Sequence, residues 1–203
     1  MTVLDTFSLT DRTAIVTGAS SGLGVELAVA LAEAGANVVV AARRAEQLES
    51  TADRIRAVGR RALTVRADVV DPQQCESLID ATMKEFGRID ILINNAGMGT
   101  AVPALRESPE QFRAVVDVNL HGTYWLSQAA ARHMSAGATI VNISSILGIT
   151  TAGLPQAAYT ASKAAVIGLT RDLAQQWATR RNNLAPCRNR APPVPGGLAH
   201  CAT

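Results

Sequence analysis

Tyr159 and Lys163 stand four residues apart in the stretch YTASK at 159–163. On a helix that spacing sets a phenol and an ammonium on one face, a single turn apart. A free tyrosine titrates near pH ~10 and is a poor base at neutral pH. A neighbouring ammonium favours the phenolate and makes the pair a candidate for moving a proton. Four-residue Tyr–Lys spacings are common on ordinary helices, so this one carries chemistry only if other elements deliver further groups to the same place.

A second candidate cluster lies near the start of the chain. TGASSGLG spans Thr17–Gly24, between a β-rich run and a helical one. Gly18 permits a tight turn, Gly22 a close backbone approach, and Gly24 the packing of helix on sheet. Free N–H groups at the helix start can then hold a pyrophosphate. At the end of the next β-rich run, VVVAARR, an acid would hydrogen-bond adenosine ribose hydroxyls. This chain has Ala42 there, followed by Arg43 and Arg44. A guanidinium at that point can pair with a 2′-phosphate; the alternative is two solvated arginines opening a helix.

These clusters need a scaffold, and the hydrophobic pattern supplies one. Strands are expected at 13–17, 37–42, 62–69, 89–95 and 138–145. Helices are expected at 22–35, 44–59, 72–87, 108–134 and 157–180, with a Ser cap opening the fourth. Apolar strands alternating with helices imply a parallel sheet covered on both faces, a doubly wound, Rossmann-like α/β/α sandwich.

Length and composition agree. The 203 residues suffice for one domain with a substantial core, and 48% are hydrophobic. No apolar run is long enough to span a bilayer. The opening MTVLDTFSLTDRTAIV lacks the pattern of a secretory signal. Cys75, Cys187 and Cys201 fit neither a disulfide framework nor a zinc site, so a cytoplasmic location and no metal are expected. The seventeen acids all lie at or before Asp172, and without Arg180, Arg181, Arg188 and Arg190 the body is mildly acidic. That balance argues against nucleic acid as a partner. His121, His133 and His200 show no partner pattern, and Tyr124 and Trp125 read as packing at a helix interface.

Taken together, the motifs resemble the short-chain dehydrogenase/reductase family. The resemblance rests on TGxxxGxG at 17–24, NNAG at 94–97, Asn119, NISS at 142–145 and YxxxK at 159–163, in the family's order. It covers roughly residues 8 to 180. It implies an NAD(P)-dependent oxidoreductase that moves a hydride between a nicotinamide and a carbonyl or secondary alcohol. Tyr159 is then the general acid/base, and Lys163 tunes it and holds the nicotinamide ribose. Asn119 bends its helix and anchors a water that supports proton replacement, and Ser145 polarises the carbonyl. Ser144 competes for that last role, and matching SSILG to the family's serine-x-x-glycine pattern selects Ser145. Its separation from Tyr159 implies a one-residue loop insertion.

The resemblance also implies the cofactor site. Ser20, Ser21 and Leu23 join the three glycines around the pyrophosphate. Asp68 and the Val69 backbone approach the adenine, and Asn95, Ala96 and Gly97 line the adenosine-ribose side. Tyr159 and Lys163 close the nicotinamide end. With Arg43 beside the ribose, NADP is the expected cofactor and NAD the alternative, although Ser21 stands where many NADP-using relatives carry a basic residue. The helices at 108–134 and 157–180 are expected to pair into a homodimer or homotetramer.

The resemblance stops after residue 180. RRNNLAPCRNRAPPVPGGLAHCAT keeps LAP at 184–186, but Cys187 replaces the family's glycine. The segment holds four of the eight prolines and no acid. The chain is therefore read as a dinucleotide-binding domain at 1–180, carrying the catalytic residues, and an irregular, disordered tail at 181–203. A truncated or shifted reading frame is the expected cause, and the usual last strands are expected to be missing. The alternative function is an impaired remnant that only binds a dinucleotide or a partner subunit.

Overall fold

Runs rich in Val, Ile and Ala form the five strands seen in the computed structural model, which describes residues 4–178. They are β1 Thr13–Thr17, β2 Asn37–Ala42, β3 Ala62–Arg66, β4 Ile91–Asn94 and β5 Thr139–Asn142. Every neighbouring pair is parallel, in the order β3-β2-β1-β4-β5. The helices are α1 Leu23–Glu33, α2 Ala45–Ala57, α3 Pro72–Phe86, α4 Pro109–Val116, α5 Gly122–Ala131 and α6 Ala157–Ala178. The expected doubly wound α/β architecture is what forms. Residues 179–203, with Cys187, Cys201, His200 and the tail assignment, lie outside the described residues.

The period of two along each strand sends side chains to opposite faces and builds two cores. Ile15, Val39 and Leu92 meet Leu78 and Ile79 of α3 and Leu126 and Ala130 of α5. Val16, Val38, Val40 and Ile93 meet Ala28 and Ala32 of α1 and Leu48 and Ile55 of α2. Trp125 packs against the first of these cores. Helix ends follow their local chemistry. Asp71 caps α3 by accepting from the Gln73 N–H, and Ser108 and Gln111 form a reciprocal capping box on α4.

Three expected boundaries are corrected. The strand read as 62–69 ends at Arg66; Ala67 makes a last bond to the Ala42 carbonyl, and Asp68 and Val69 then turn away to wall a cleft. The strand read as 138–145 ends at Asn142, because Ile143 turns its carbonyl to Lys163. The single helix read as 108–134 is α4 and α5 joined by a π-helical turn at Asp117–His121. There the Gly122 N–H reaches back to the Asp117 carbonyl.

The sheet is stapled at its amino-terminal edge. Asp90, just before β4, accepts from the Thr13 N–H at 2.9 Å, from Arg12 at 2.9 Å and from Arg88 at 2.7 Å. Burial acts to raise this carboxyl, but the Arg88, Thr13 and Arg12 hydrogen bonds outweigh it and hold the group below the usual carboxylate range. A depressed carboxyl stabilises the fold above the unfolded pKa of ~3.9 and loses that contribution as pH falls through the lower folded value. Asp90→Asn should therefore cost about 1–3 kcal/mol at pH 7, with both arginines half exposed. The gap from the parent should close below about pH 4. Denaturant titrations of both proteins at several pH values check this; a gap independent of pH would contradict it.

Candidate active site

The order β3-β2-β1-β4-β5 reverses direction between β1 and β4, and a crevice opens beyond the carboxyl ends of such strands. A cavity of about 330 Å³ lies there. Its walls come from the glycine-rich turn, the ends of β2 and β3, and the segment after β4.

The turn is shaped by its glycines. Gly18 has φ +66°, and a Cβ on Gly24 would collide with the Gly18 carbonyl and stand 2.6 Å from Asn95 Nδ2. At Gly22 a Cβ would meet no protein atom within 4 Å, so that side of the turn is open. Its left-handed backbone, φ 62° with ψ −139°, is what calls for glycine. Thr17 and Asn95 tie the turn to β4. The Thr17 hydroxyl accepts from the N–H groups of Asn95 and Ala96 at 3.1 and 3.0 Å. Asn95 Nδ2 donates to the Thr17 carbonyl at 2.9 Å.

The cavity brings together Gly18, Ser20, Ser21, Leu23, Arg43, Asp68, Val69, Asn95, Ala96 and Gly97 from the sequence reading. Gly22 and Gly24 shape the turn from outside that lining. Further residues outside that set also line it, Val118 and Arg44 among them. Val118 comes from the π-helical turn. Arg44, credited only as a neighbour of Arg43, donates from Nη2 to the Ser20 and Ser21 hydroxyls at 3.3 and 3.2 Å. Ser21 occupies the place where a basic residue was missed, and the Arg44 guanidinium fills that place in space. The doublet at 43–44 was the signal. Arg43 makes no hydrogen bond or ion pair among the described residues.

Beyond Gly97, three other predicted residues converge. Lys163, buried on α6, donates from Nζ to the Ile143 carbonyl at 2.6 Å. Its Nζ lies 5.8 Å from the Tyr159 ring centroid and 3.5 Å from where a Gly97 Cβ would be. Tyr159 is half-buried, its ring against Gly99. Asn119, fully buried in the π-helical turn, accepts from the Met98 N–H at 2.8 Å and donates to the Met98 carbonyl at 2.9 Å. It also donates to Ser162 Oγ at 3.0 Å, and Ser162 donates to the Tyr159 carbonyl. One asparagine thus holds the segment after β4 against the helix carrying Tyr159 and Lys163.

The two serines after β5 separate by their hydrogen bonds. Ser144 Oγ donates to the Lys163 carbonyl at 2.7 Å, so its proton is committed to holding α6. Ser145 Oγ only accepts, from the Leu147 N–H at 3.2 Å, which leaves its O–H to donate elsewhere.

The sequence reading missed a buried polar chain. Asn94 and Asn142 face each other as the last paired residues of β4 and β5, with Asn94 Nδ2 donating to Asn142 Oδ1 at 2.8 Å. Asn94 also donates to Ser127 of α5, and Asn142 to Thr170 of α6, at 2.8 and 2.9 Å. Both asparagines lie inside motifs, NNAG and NISS, whose sequence alone does not mark them as partners. Cys75 is a core thiol, pushed up to about 12 by burial and by Asp71, Asp68 and Glu76, and it is not a nucleophile at neutral pH.

A short chain dehydrogenase family model matches residues 12–187. The chain belongs to the short chain dehydrogenase family. Its members are NAD(P)-dependent oxidoreductases, and this chain is one by descent and by fold. It is 37% identical to 2-dehydro-3-deoxy-D-gluconate 5-dehydrogenase of Dickeya dadantii, over 90% of this chain and 72% of that one. It is 39% identical to the 3-oxoacyl-[acyl-carrier-protein] reductase of Synechocystis sp., over 85% of this chain and 71% of that one. A crystal structure of a short chain dehydrogenase from Burkholderia cenocepacia in complex with NADP superposes with a TM-score of 0.82 at 37% identity. It covers 85% of this chain and 71% of the other. Among the described residues, no helix of this short chain dehydrogenase is long and apolar enough to cross a membrane.

Burial pushes the Lys163 ammonium below the ordinary lysine range. The unfolded chain then holds that proton more tightly. Stability should rise with pH from the folded value up to the unfolded value of ~10.4. Lys163→Met removes the slope, and at pH 7 it should be about 1–3 kcal/mol less stable than the parent, because the Ile143 carbonyl loses its donor. Denaturant unfolding between neutral pH and ~10.5 tests this; an equal slope in both proteins counts against a depressed Lys163.

Proposed function

We propose that this chain is an NADP-preferring carbonyl reductase or alcohol dehydrogenase, with Asn119, Ser145, Tyr159 and Lys163 at its reaction centre. The observation that carries the reading is the convergence of two sets of groups on one crevice. At one end, Arg43 and the Arg44–Ser20–Ser21 cluster form a positive, hydroxyl-lined mouth suited to a 2′-phosphate. At the other, Lys163, Tyr159 and Asn119 close around Gly97 and Met98. The glycine cradle fits a dinucleotide, since side chains at Gly18 or Gly24 would fill the space between turn and sheet.

The bound cofactor supplies or accepts the hydride. The chain's own residues do the rest. Ser145, with its O–H free to donate, holds the carbonyl oxygen and stabilises charge as it develops there. Tyr159 Oη delivers the proton in reduction and removes it in oxidation. Lys163 holds positive charge beside the phenol while Ile143 fixes its Nζ. Asn119 acts as a positioning residue, since both ends of its amide are engaged with Met98 and Ser162. The substrate is a small carbonyl compound or secondary alcohol. The dinucleotide-binding unit at 1–180 contains all four groups.

Calorimetric titration with NADPH and NADH tests the cofactor half. NADPH should bind about ten-fold more tightly or better, and Arg43→Asp should reverse the order by repelling the 2′-phosphate. In the same set, Tyr159→Phe should keep the NADPH affinity within about two-fold while lowering turnover of ketone substrates by about 10²-fold or more. Equal affinity for both cofactors in the parent would remove the NADP assignment. Undiminished turnover in Tyr159→Phe would remove Tyr159 as the acid.

The same reading includes a homodimer or homotetramer through the outer faces of α4–α5 and α6, where the half-exposed Tyr124 ring tilts against Trp125 at 5.0 Å. Sedimentation velocity at micromolar concentration should show a dimer or larger; a monodisperse monomer would rule the interface out.

A further inference from the structure

Gly122 stands at the start of α5 with φ −59° and ψ −42°, values any residue adopts. Its backbone gives no reason for glycine, and glycine inside a helix costs about 1 kcal/mol relative to alanine. The reason lies in packing. A Cβ on Gly122 would stand 2.6 Å from Val69 Cγ2, 2.9 Å from Val69 Cβ and 3.1 Å from the Val69 carbonyl oxygen. Val69, buried after β3, walls the dinucleotide cavity beside Asp68.

We propose that Gly122 is a positioning residue for the adenosine half of the cofactor. By lacking a side chain it sets how far Val69 stands from the cleft. The inference rests on the dinucleotide reading above.

Both partners are restrained by their backbones, and the open space beside Val69 is the cavity. Val69 is β-branched and stiff. Its loop is tied down on both sides: the Ala67 N–H donates to the Ala42 carbonyl at 3.1 Å, and the Asp68 N–H to Gln74 Oε1 at 3.0 Å. The Val70 N–H donates to Asp68 Oδ1 at 3.2 Å, and the Cys75 thiol to the Val69 carbonyl at 3.5 Å. Gly122 cannot retreat, because its N–H closes the π-helical turn on Asp117. Within that turn, Asn119 is locked to Met98 and Ser162. Val118, also in the turn, lines the cavity alongside Val69. An added methyl group is therefore relieved by moving Val69, Val118 or both into the space the adenosine half occupies. The catalytic groups face the other end of the crevice and keep their partners.

The test is calorimetric binding of NADPH and of adenosine 2′,5′-bisphosphate, a probe with no nicotinamide, to the parent, Gly122→Ala, Val69→Ala and the double variant. Gly122→Ala should weaken both ligands by about ten-fold, the scale of a one-methylene overpacking. Removing the opposing methyl groups lifts the 2.6 Å contact and leaves only a shift of a few tenths of an ångström at the Val69 Cβ and carbonyl, so the double variant should bind both ligands within about three-fold of Val69→Ala. Unchanged affinity in a folded Gly122→Ala overturns the proposal, as does a double variant no tighter than Gly122→Ala. If Gly122→Ala alone yields no folded protein, the double variant decides: folded and equal to Val69→Ala supports the proposal, and ten-fold weaker than Val69→Ala sinks it. A parent that binds neither ligand overturns the dinucleotide reading itself, an outcome distinct from these.

Discussion

Where the strand order reverses, β1 and β4 remain paired, yet the chain segments leaving them must diverge to open a crevice. The Thr17 hydroxyl manages that divergence. It accepts from two consecutive N–H groups of the segment leaving β4, at Asn95 and Ala96, while Asn95 returns a bond to the Thr17 carbonyl. The glycine turn and the Asn95–Met98 segment are thereby fixed as two lips of one opening. Everything downstream inherits this geometry: Gly24 can approach Asn95, Gly97 can face Lys163, and Met98 can be gripped by Asn119. These are hydrogen bonds in a partly buried place, where leaving a donor unmade costs about 1–3 kcal/mol. That asymmetry makes the opening a single geometry rather than a range of them.

A second layer of the same logic lies below the reaction centre. Asn94, Asn142, Ser127 and Thr170 span two strand ends and two helices with side-chain bonds alone. Ser144 and Lys163 add two more ties between the end of β5 and α6. Ser145 follows β5 directly and Tyr159 lies on α6, so their separation is set by bonds that neither side chain makes. Buried polar networks of this kind are costly when incomplete and rigid when satisfied.

Most of the scaffold was legible in the sequence because its signals are local. Period two in TAIVT and NVVVAA, glycine after α3 and serine before α4 each report on a few neighbouring residues. β1 and β2 match their expected limits residue for residue. The family motifs located the crevice and the convergence of Lys163, Tyr159 and Asn119. What stayed hidden depends on distant partners. Nothing in VAARR says that Arg44 turns back to Ser20 and Ser21, because that contact crosses more than twenty residues. Asn94 and Ser127 meet only once α5 lies over β4. The resemblance placed a bend at Asn119, but its form as a π-helical turn at Asp117–His121 stayed hidden, because a change of hydrogen-bond register leaves no compositional mark.

That turn also solves a problem of phase. Each residue of an α-helix advances the side chains by 100°. One extra residue in the π-helical turn rotates everything after it by about that amount relative to everything before. The two halves of what looks like one helix can therefore face different neighbours: α4 lies against α6, whereas α5 lies against α3. Length is therefore constrained here as tightly as the identities of Asn119 and Gly122. Deleting one residue between Asp117 and His121 would leave a more regular helix, yet Leu126 and Ala130 would swing away from the core they now fill. The irregularity behaves as a gear that lets one rod serve two surfaces, and its tooth count is fixed along with its composition.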